Sequence, residues 1–269
     1  MTTETDAVIL EERGDGIAIL RLNRPATLNA LTRESVALVH DRLDAIAASR
    51  AIRVVILTGA GRGFCAGQDV GAAKTRGESG GNRTAERMLW QQRYAGMVQR
   101  LMGLPQAVIA AVNGPAAGVG MALALGSDIR IVARSAKFLI ASIRLGLLGG
   151  ESGLSYLLPR LIGASRAFEL LLTGRPILAE EAYRIGLAVD IVDDGVCEAR
   201  AIELAGQIIA NSPFGITHTK RLMWDNLDAN RQTALNAENG MQILASLTAD
   251  YQEALAAFVE KRPARFTGE

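Results

Sequence analysis

Three runs in which apolar residues follow one another, without regular alternation with polar residues, constrain the fold more than any other feature. They read RVVILTG at 53–59, QAVIAAVNG at 106–114 and SDIRIVA at 127–133. A strand that is apolar on both faces is typical of a parallel sheet covered by helices on both sides. Because parallel neighbours need crossover connections, which are right-handed, the runs predict an α/β fold with a largely parallel sheet.

The patterns around these runs divide the chain into two regions. A hairpin is predicted around the turn residues 14–16, and helices are predicted at about 32–49 and 84–102. After about residue 195 the strand patterns stop, and consecutive helical patterns follow. We therefore expect an α/β core over residues 1–195 and a C-terminal helical region over residues 196–269.

Charge, cysteine and histidine content exclude several functions. With a formal net charge of +1 and 49% hydrophobic residues, the chain has material for a large core but no field that attracts nucleic acid. Cys65 and Cys197 lie far apart and form no C-x-x-C motif, so we expect a cytoplasmic protein. The first residues are polar and acidic, and the longest apolar stretches are interrupted by Gly, Asp or Arg, so neither a signal peptide nor a membrane span is predicted. His40 and His218 lie in different predicted helices without ligand-like neighbours, so no metal site is predicted.

Two glycine-rich turns follow predicted buried strands and point to chemistry. FCAGQDV at 64–70 follows the first apolar run, and NGPAAGVGMALAL at 113–125 follows the second. Such a turn at a helix start leaves backbone N–H groups without partners, and these bind a negative or developing negative oxygen. Two of them could meet at one carbonyl oxygen, as in an oxyanion hole. The alternative is two ordinary tight connections; a nucleotide site is not indicated, because the known glycine-rich nucleotide motifs are absent.

Six segments carry a resemblance to a known family. In chain order they are NRPATLNALT, GRGFCAGQDV, AVNGPAAGVGMALALGSDIRI, SAKF, LLTGRPILAEEAYRIGL and FVEKRPARFTG. Together they resemble the enoyl-CoA hydratase/isomerase, or crotonase, family over almost the whole chain. The resemblance implies a crotonase-like spiral of ββα turns with a C-terminal helical region that forms trimers or dimers of trimers. It also implies an acyl-CoA thioester as substrate, bound without a further cofactor, whose enolate the protein stabilises.

The resemblance also implies roles for individual residues. The backbone N–H groups of Ala66 and Val119 would be the oxyanion donors. Segments 23–28 and 66–70 would line the path of coenzyme A, and Lys261 would bind a phosphate, from the same or a neighbouring subunit. The coenzyme-A-binding residues implied in this way are Arg24, Ala26, Leu28, Ala66, Gly67, Gln68, Asp69, Val70, Gly118 and Lys261.

Three residues of these motifs, one of them also on the coenzyme A path, are interpreted as structural. Cys65 has no histidine nearby in the motif to activate it, and a buried cysteine behaves as a small apolar residue. Asp69 and Asp128 follow directly on glycine-rich or buried segments, so we expect both to accept structural hydrogen bonds.

The chain departs from its family at the acids that activate water. Water-adding members use two glutamates, and the matching positions here hold Ala122 and Ser142. The segment LGLLGGESGLSYLLP instead offers Glu151, where the isomerases of phenylacetate breakdown carry a carboxylate. The two preceding glycines would allow an unusual backbone that brings this acid to a ligand, and apolar surroundings would raise its pKa. The alternative is that Glu151 only favours the start of the next helix.

These residues leave three functional hypotheses. The main one is an enoyl-CoA isomerase that moves a double bond through a thioester enolate, with Glu151 carrying the proton. The second is hydration of a 2-enoyl-CoA with Glu151 as the only activator of water. The third is a member that binds acyl-CoA without turnover. The first is preferred because one acid suffices when a proton leaves one carbon and returns to another.

Overall fold

The computed structural model describes residues 7–69, residue 71 and residues 84–269. In chain order the strands are β1 (Val8–Glu12), β2 (Ile17–Leu22), β3 (Val54–Gly59), β4 (Ala107–Val112), β5 (Ala116–Ala117), β6 (Ile129–Ala133), β7 (Lys137–Leu139), β8 (Ile177–Leu178) and β9 (Asp190–Val192). The helices are α1 (Arg33–Ala48), α2 (Thr84–Met102), α3 (Val119–Gly126), α4 (Ala141–Arg144), α5 (Leu154–Ile162), α6 (Ala164–Thr173), α7 (Ala179–Arg184), α8 (Cys197–Ile209), α9 (Pro213–Asn226), α10 (Arg231–Ser246) and α11 (Ala249–Glu260). Short 3-10 turns occupy Pro25–Thr27 and Glu151–Gly153.

The larger sheet has the strand order β1-β2-β3-β4-β6-β9. The first two strands pair antiparallel through the predicted hairpin, and the later neighbours pair in parallel. This confirms the parallel sheet that the apolar runs predict. β3 and β4 are buried along their whole length, as a sheet covered on both faces requires.

A smaller sheet joins β5, β7 and β8. β5 lies inside the second glycine-rich turn, where the sequence predicts only a bend before a helix. Ala116 and Ala117 pair with Phe138 and Leu139 of β7. This pairing fixes the point at which α3 begins.

The first two helices lie where the sequence places them. Thr32 caps α1 by accepting a hydrogen bond from the Ser35 N–H, as predicted. On α2, Tyr94 and Met97 are buried, and the Tyr94 hydroxyl donates to the Leu31 carbonyl, so this face belongs to the core. Within the described ranges, we find no helix whose length and apolar character would let it cross a bilayer.

The C-terminal helical region begins with a helix that belongs to the sheet. α8 packs against β3, β4 and β6 and buries Cys197, Ala201 and Ala205. The packing of the core therefore continues past the boundary that the sequence places at residue 195. The role of the helical region in assembly stays a prediction.

A buried ion pair joins α9 to the start of β6. Lys220 Nζ lies 2.9 Å from Asp128 Oδ2 and donates to the Gln106 carbonyl at 2.9 Å. Asp128 also accepts the Trp224 indole N–H at 2.8 Å and the Val108 N–H at 2.7 Å. The structure therefore confirms Asp128 as a structural hydrogen-bond acceptor.

Candidate active site

The two glycine-rich turns lie against each other. Cys65 of the first turn forms a parallel bridge with Ala116 of the second. A side chain on Gly67 would approach the Ala117 carbonyl oxygen to 2.9 Å, and one on Gly120 would clash with the Cys65 carbonyl. The turns therefore meet because these two positions carry no side chain.

Two asparagine side chains hold the first turn. Asn29 is buried and donates to the carbonyls of Ala60 at 3.0 Å and Gly63 at 2.7 Å. Asn113, which follows β4, donates to the Gly59 carbonyl at 2.8 Å. The turn is thus fixed from two sides before any ligand arrives.

The second turn presents a free backbone donor. Val119 is the first residue of α3, and its N–H has no hydrogen-bond partner within the described residues. The first N–H groups of a helix lack intrahelical partners, so this one is available to a ligand. At the other end of α3, the buried Arg130 donates to the carbonyls of Ser127 at 2.7 Å and Leu125 at 3.4 Å, which satisfies the helix terminus.

The first turn does not present its donor freely. The Ala66 N–H donates to the Leu28 carbonyl at 2.9 Å, so the expectation of two open donors is wrong for Ala66 in the ligand-free chain. Leu28 and Asn29 both have a left-handed backbone, with φ of 51° and 59°, which is uncommon outside glycine. A role for Ala66 as an oxyanion donor stays a prediction, and it requires the Leu28 carbonyl to share or release this N–H.

Glu151 lies beside the second turn. A Cβ built on Gly118 would lie 2.9 Å from Glu151 Oε1, so the carboxylate faces the backbone that leads into Val119. The next helix, α5, starts at Leu154 and has Gly153 as its N-cap, without a side-chain cap. Glu151 provides no side-chain cap to α5, but as the first residue of the 3-10 turn Glu151–Gly153 it does lie at the start of this helical segment, as the alternative also predicts.

The two positions before Glu151 require glycine for a different reason from the one predicted. Neither Gly149 nor Gly150 has a positive φ. Instead, a side chain on Gly149 would lie 2.5 Å from the Leu171 carbonyl oxygen, and one on Gly150 would lie 2.7 Å from a side chain of α5. The left-handed residue is Ser152, with φ of 51°, a backbone strain that tends to occur at functional sites.

The surroundings of Glu151 raise the pKa of its carboxyl group. Burial raises the pKa of the carboxyl above its usual value, because desolvation penalises the charge, and the neighbouring Ser142 hydroxyl partly opposes this rise. Ala122 is fully buried in α3 and brings no acid to the site. A carboxyl of this kind is suited to exchange protons nearer to neutral pH than an exposed glutamate.

The two segments predicted to line the coenzyme A path meet in the structure. Arg24 donates to Asp69 Oδ2 at 3.0 Å, which also confirms Asp69 as a hydrogen-bond acceptor. Ala26 and Gln68 are exposed at the surface. Val70 lies outside the described residues.

Among the residues that the structure describes, Lys261 makes no contact that joins it to these segments. It follows α11 with an exposed side chain and a left-handed backbone, φ of 54°. None of the hydrogen bonds or ion pairs in the described part of the chain links it to the coenzyme A path. Its role at a phosphate stays a prediction.

Cys65 is not a nucleophile. Burial raises the pKa of its thiol to about 12, and the thiol donates to the Asn29 carbonyl at 3.3 Å. It therefore remains a protonated, unreactive thiol at neutral pH. Over the described ranges, no group of three or more potential metal-ligating side chains comes together.

Two participants in the site were not predicted from the sequence. The sequence presents Ser142 only as a position without an acid, yet its hydroxyl neighbours Glu151. It presents Leu28 as part of the coenzyme A path, yet the Leu28 carbonyl accepts a hydrogen bond from the Ala66 N–H. For Leu28 the available signal is Asn29, because asparagine tolerates the left-handed backbone. For Ser142 there is no signal, because the contact arises only when distant segments pack.

Comparison with known proteins identifies what this arrangement is similar to. The model of the family described as enoyl-CoA hydratase/isomerase matches residues 12–269. The chain is 40% identical over 261 residues to the 1,2-epoxyphenylacetyl-CoA isomerase of Escherichia coli, covering 97% of this chain and 98% of that protein. It is 40% identical over 265 residues to a Mycobacterium bovis protein named "Probable enoyl-CoA hydratase echA12", covering 97% and 93%. The solved structure of an enoyl-CoA hydratase from Bacillus anthracis matches with a TM-score of 0.91 at 34% identity, covering 98% of this chain and 100% of that one.

Proposed function

The chain belongs to the enoyl-CoA hydratase/isomerase family, and from this premise we propose that it isomerises enoyl-CoA thioesters with Glu151 as acid and base. Its crotonase-like fold is confirmed by the solved relatives. The observation that carries the proposal is the position of the Glu151 carboxylate over Gly118, the residue that precedes Val119 and its free N–H. One acid and one open donor at the same turn are what a proton transfer beside a thioester needs.

The proposed reaction moves one proton between two carbons of the acyl chain. The Glu151 carboxylate takes a proton from the α-carbon of a 3-enoyl-CoA, and the electron pair moves into the conjugated system, so that negative charge collects on the thioester oxygen. The protonated Glu151 then returns the proton to the γ-carbon. The carbonyl re-forms, and the double bond now joins the α- and β-carbons. No atom is gained or lost, so one carboxyl group suffices.

The charge on the thioester oxygen would be stabilised by backbone N–H groups. Val119 would donate to it from the start of α3, and a preorganised donor of this kind typically contributes about 3 to 4 kcal/mol. Ala66 would add a second donor once the Leu28 carbonyl shares or releases its N–H. On this proposal the hole is completed only when the substrate is bound.

Coenzyme A would enter as part of the substrate, without a further cofactor. We place it along the segments that Arg24 and Asp69 join, with Lys261 at one of its phosphates. Assembly as a trimer or a dimer of trimers through the C-terminal helices belongs to the same proposal. Large apolar side chains exposed on α10 and α11 support it, since clusters of such residues mark interfaces; they are Ile243, Leu244, Leu255, Phe258 and Val259.

A substrate panel tests the proposal. The purified chain is offered 3-enoyl-CoA thioesters, with formation of the 2-enoyl product measured, and separately 2-enoyl-CoA thioesters, with formation of the 3-hydroxyacyl product measured. Isomerisation that exceeds hydration supports the proposal. Hydration alone would favour Glu151 as an activator of water, and tight acyl-CoA binding without turnover would indicate a non-catalytic member.

The rate should depend on pH through Glu151. The base must be ionised to accept a proton, so kcat/KM should rise with pH through the raised pKa of Glu151, above the value of about 4.3 for an ordinary glutamate. Because the folded state holds this proton more tightly than the unfolded state, the related stabilisation is complete at low pH and is lost as pH rises through the folded pKa. A kcat/KM profile checks the first point, and an acid limb at the ordinary value would contradict it.

Gly118→Ala should displace the base. The new Cβ would meet Glu151 Oε1 at 2.9 Å, and the backbone of Gly118, at φ of 51° and ψ of −123°, is closed to alanine. We expect kcat to fall about 100-fold, as for a misplacement of about 1 Å, and the free energy of unfolding to fall by about 1 to 3 kcal/mol. Steady-state kinetics and urea unfolding measure the two effects.

Gly186→Ala is the matched control for this variant. Gly186 has a positive φ of 79°, but no atom lies within 4 Å of the added Cβ. It should therefore lose stability through backbone strain while kcat stays near that of the wild type. An equal loss of kcat in both variants would show that strain, and not displacement of Glu151, is responsible.

A further inference from the structure

Ser142 is a buried polar residue to which the proposed function gives no role. It lies in the short helix α4 and is 5% exposed. Its hydroxyl oxygen is buried and makes no hydrogen bond of good geometry with any described residue. Buried hydroxyls are almost always paired, so an unpaired one calls for a reason.

The backbone fixes Ser142 beside the segment that carries Glu151. The Ser142 carbonyl accepts the N–H groups of Leu145 at 3.0 Å and Leu147 at 3.1 Å. A Cβ on Gly149 would lie 3.4 Å from the Ile140 side chain, so the two segments run in direct contact. This contact brings the buried Ser142 hydroxyl to the segment that carries the Glu151 carboxyl.

We propose that the Ser142 hydroxyl donates a hydrogen bond to the Glu151 carboxylate and so positions it for proton transfer, an inference that rests on the proposed function. Ser142 would hold one carboxylate oxygen and leave the oxygen over Gly118 to face the substrate. Because Ser142 touches no reacting atom, it is a positioning residue. A base held in one orientation spends less time in unproductive ones, and a bond to the charged form keeps it ionised.

No charged side chain takes this role among the described residues. α3 packs against the Glu151 segment and carries no titratable group. α2 meets the segment as well, and the titratable group on its buried face, Tyr94, donates to a backbone carbonyl. On α5, Tyr156 and Arg160 are both bonded to Asp228.

The direction of the pKa effects agrees with this geometry. Burial is the larger cause and raises the pKa of Glu151, and the hydroxyl of Ser142 is the cause that opposes it. Arg144, on the same helix as Ser142, is exposed. A neutral donor is therefore what limits the rise.

Ser142→Ala tests the inference through the pH profile. Loss of the donor should raise the pKa of Glu151 further, which moves the acid limb of kcat/KM to higher pH. On that limb the variant should be about 3- to 10-fold slower than the wild type at equal pH, with less than about a twofold difference on the plateau. Ser142→Thr keeps a hydroxyl and should restore the limb. Ser135→Ala, at an exposed serine, should leave the profile unchanged.

A second readout is independent of turnover. In the full chain with isotope-labelled glutamate carboxyl carbons, the Glu151 resonance is identified by its loss in Glu151→Gln and is then titrated without substrate. A higher pKa in Ser142→Ala supports the inference even if no isomerisation is found, so its failure and that of the proposed function are distinguishable. An unchanged titration, or a rate loss equal at every pH, would show that Ser142 is only structural. A rise in KM alone would show that its hydroxyl meets the acyl group, which also overturns the inference.

Discussion

Replacing Glu151 with glutamine should lower kcat for double-bond isomerisation about 100- to 10,000-fold, the range that one general acid–base contributes. Glutamine fills nearly the same space over Gly118 but cannot accept the proton. Acyl-CoA binding should therefore change little. Because burial disfavours the charged carboxylate, a neutral amide should leave the free energy of unfolding at neutral pH at least as high as in the wild type. Steady-state kinetics, calorimetric titration with an acyl-CoA and urea unfolding measure these three quantities.

Glu12→Gln is the matched control, since Glu12 ends β1 and is exposed. It makes the same chemical change away from the site and should retain the wild-type kcat. Equal kcat values for Glu151→Gln and the wild type would remove Glu151 from the chemistry. A loss of stability in Glu151→Gln would instead assign the residue a structural role.

Lys220→Met should lower the free energy of unfolding by about 3 to 5 kcal/mol, the usual cost of removing one partner from a buried ion pair. The Lys220 side chain is 6% exposed and that of Asp128 is 18% exposed, so solvent cannot replace the lost cation. The carbonyls of Gln106 and Leu101 lose a donor at the same time. Urea unfolding at one fixed protein concentration measures the effect, because subunit association would otherwise contribute.

Arg221→Met gives the comparison on the next residue of the same helix. The Arg221 side chain is 72% exposed and lies 3.6 Å from Asp225, an exposed pair of the kind that contributes about 0 to 1 kcal/mol. A loss as large as that of Lys220→Met would show that helix α9, and not the buried pair, is sensitive to the change.

The sheet could be predicted because the amino-acid composition of its strands reflects their burial. β3 and β4 are buried on both faces and so consist almost wholly of apolar and β-branched residues. The capped start of α1 was readable in the same way, from Thr32. The meeting of two glycine-rich turns followed from their places after neighbouring parallel strands. In the first two cases a short stretch of sequence determines the local structure, and in the third the order of the strands determines which turns meet.

The details of the site could not be predicted because they depend on contacts between distant segments. The need for Gly149 comes from the Leu171 carbonyl, which is remote in sequence. The occupied Ala66 N–H depends on the left-handed turn at Leu28, which arises in another part of the chain. The proposed contact of Ser142 with Glu151 arises only when α4 and the following turn pack together. Family motifs name the residues at a site but do not fix their hydrogen bonds.

Asp128 and Arg130, at the start of β6, connect the C-terminal helix α9 with α3, the helix that begins with the Val119 donor. Asp128 receives Lys220 from α9, and two residues later Arg130 closes the carbonyl end of the helix that begins with Val119. Removing all residues after 195 would therefore remove Lys220 and leave Asp128 without its cation. Asp128 lies two residues before Arg130, which binds the C-terminal end of α3. We therefore expect the C-terminal helices to help hold the Val119 amide in place within a single subunit, whatever part they also take in assembly.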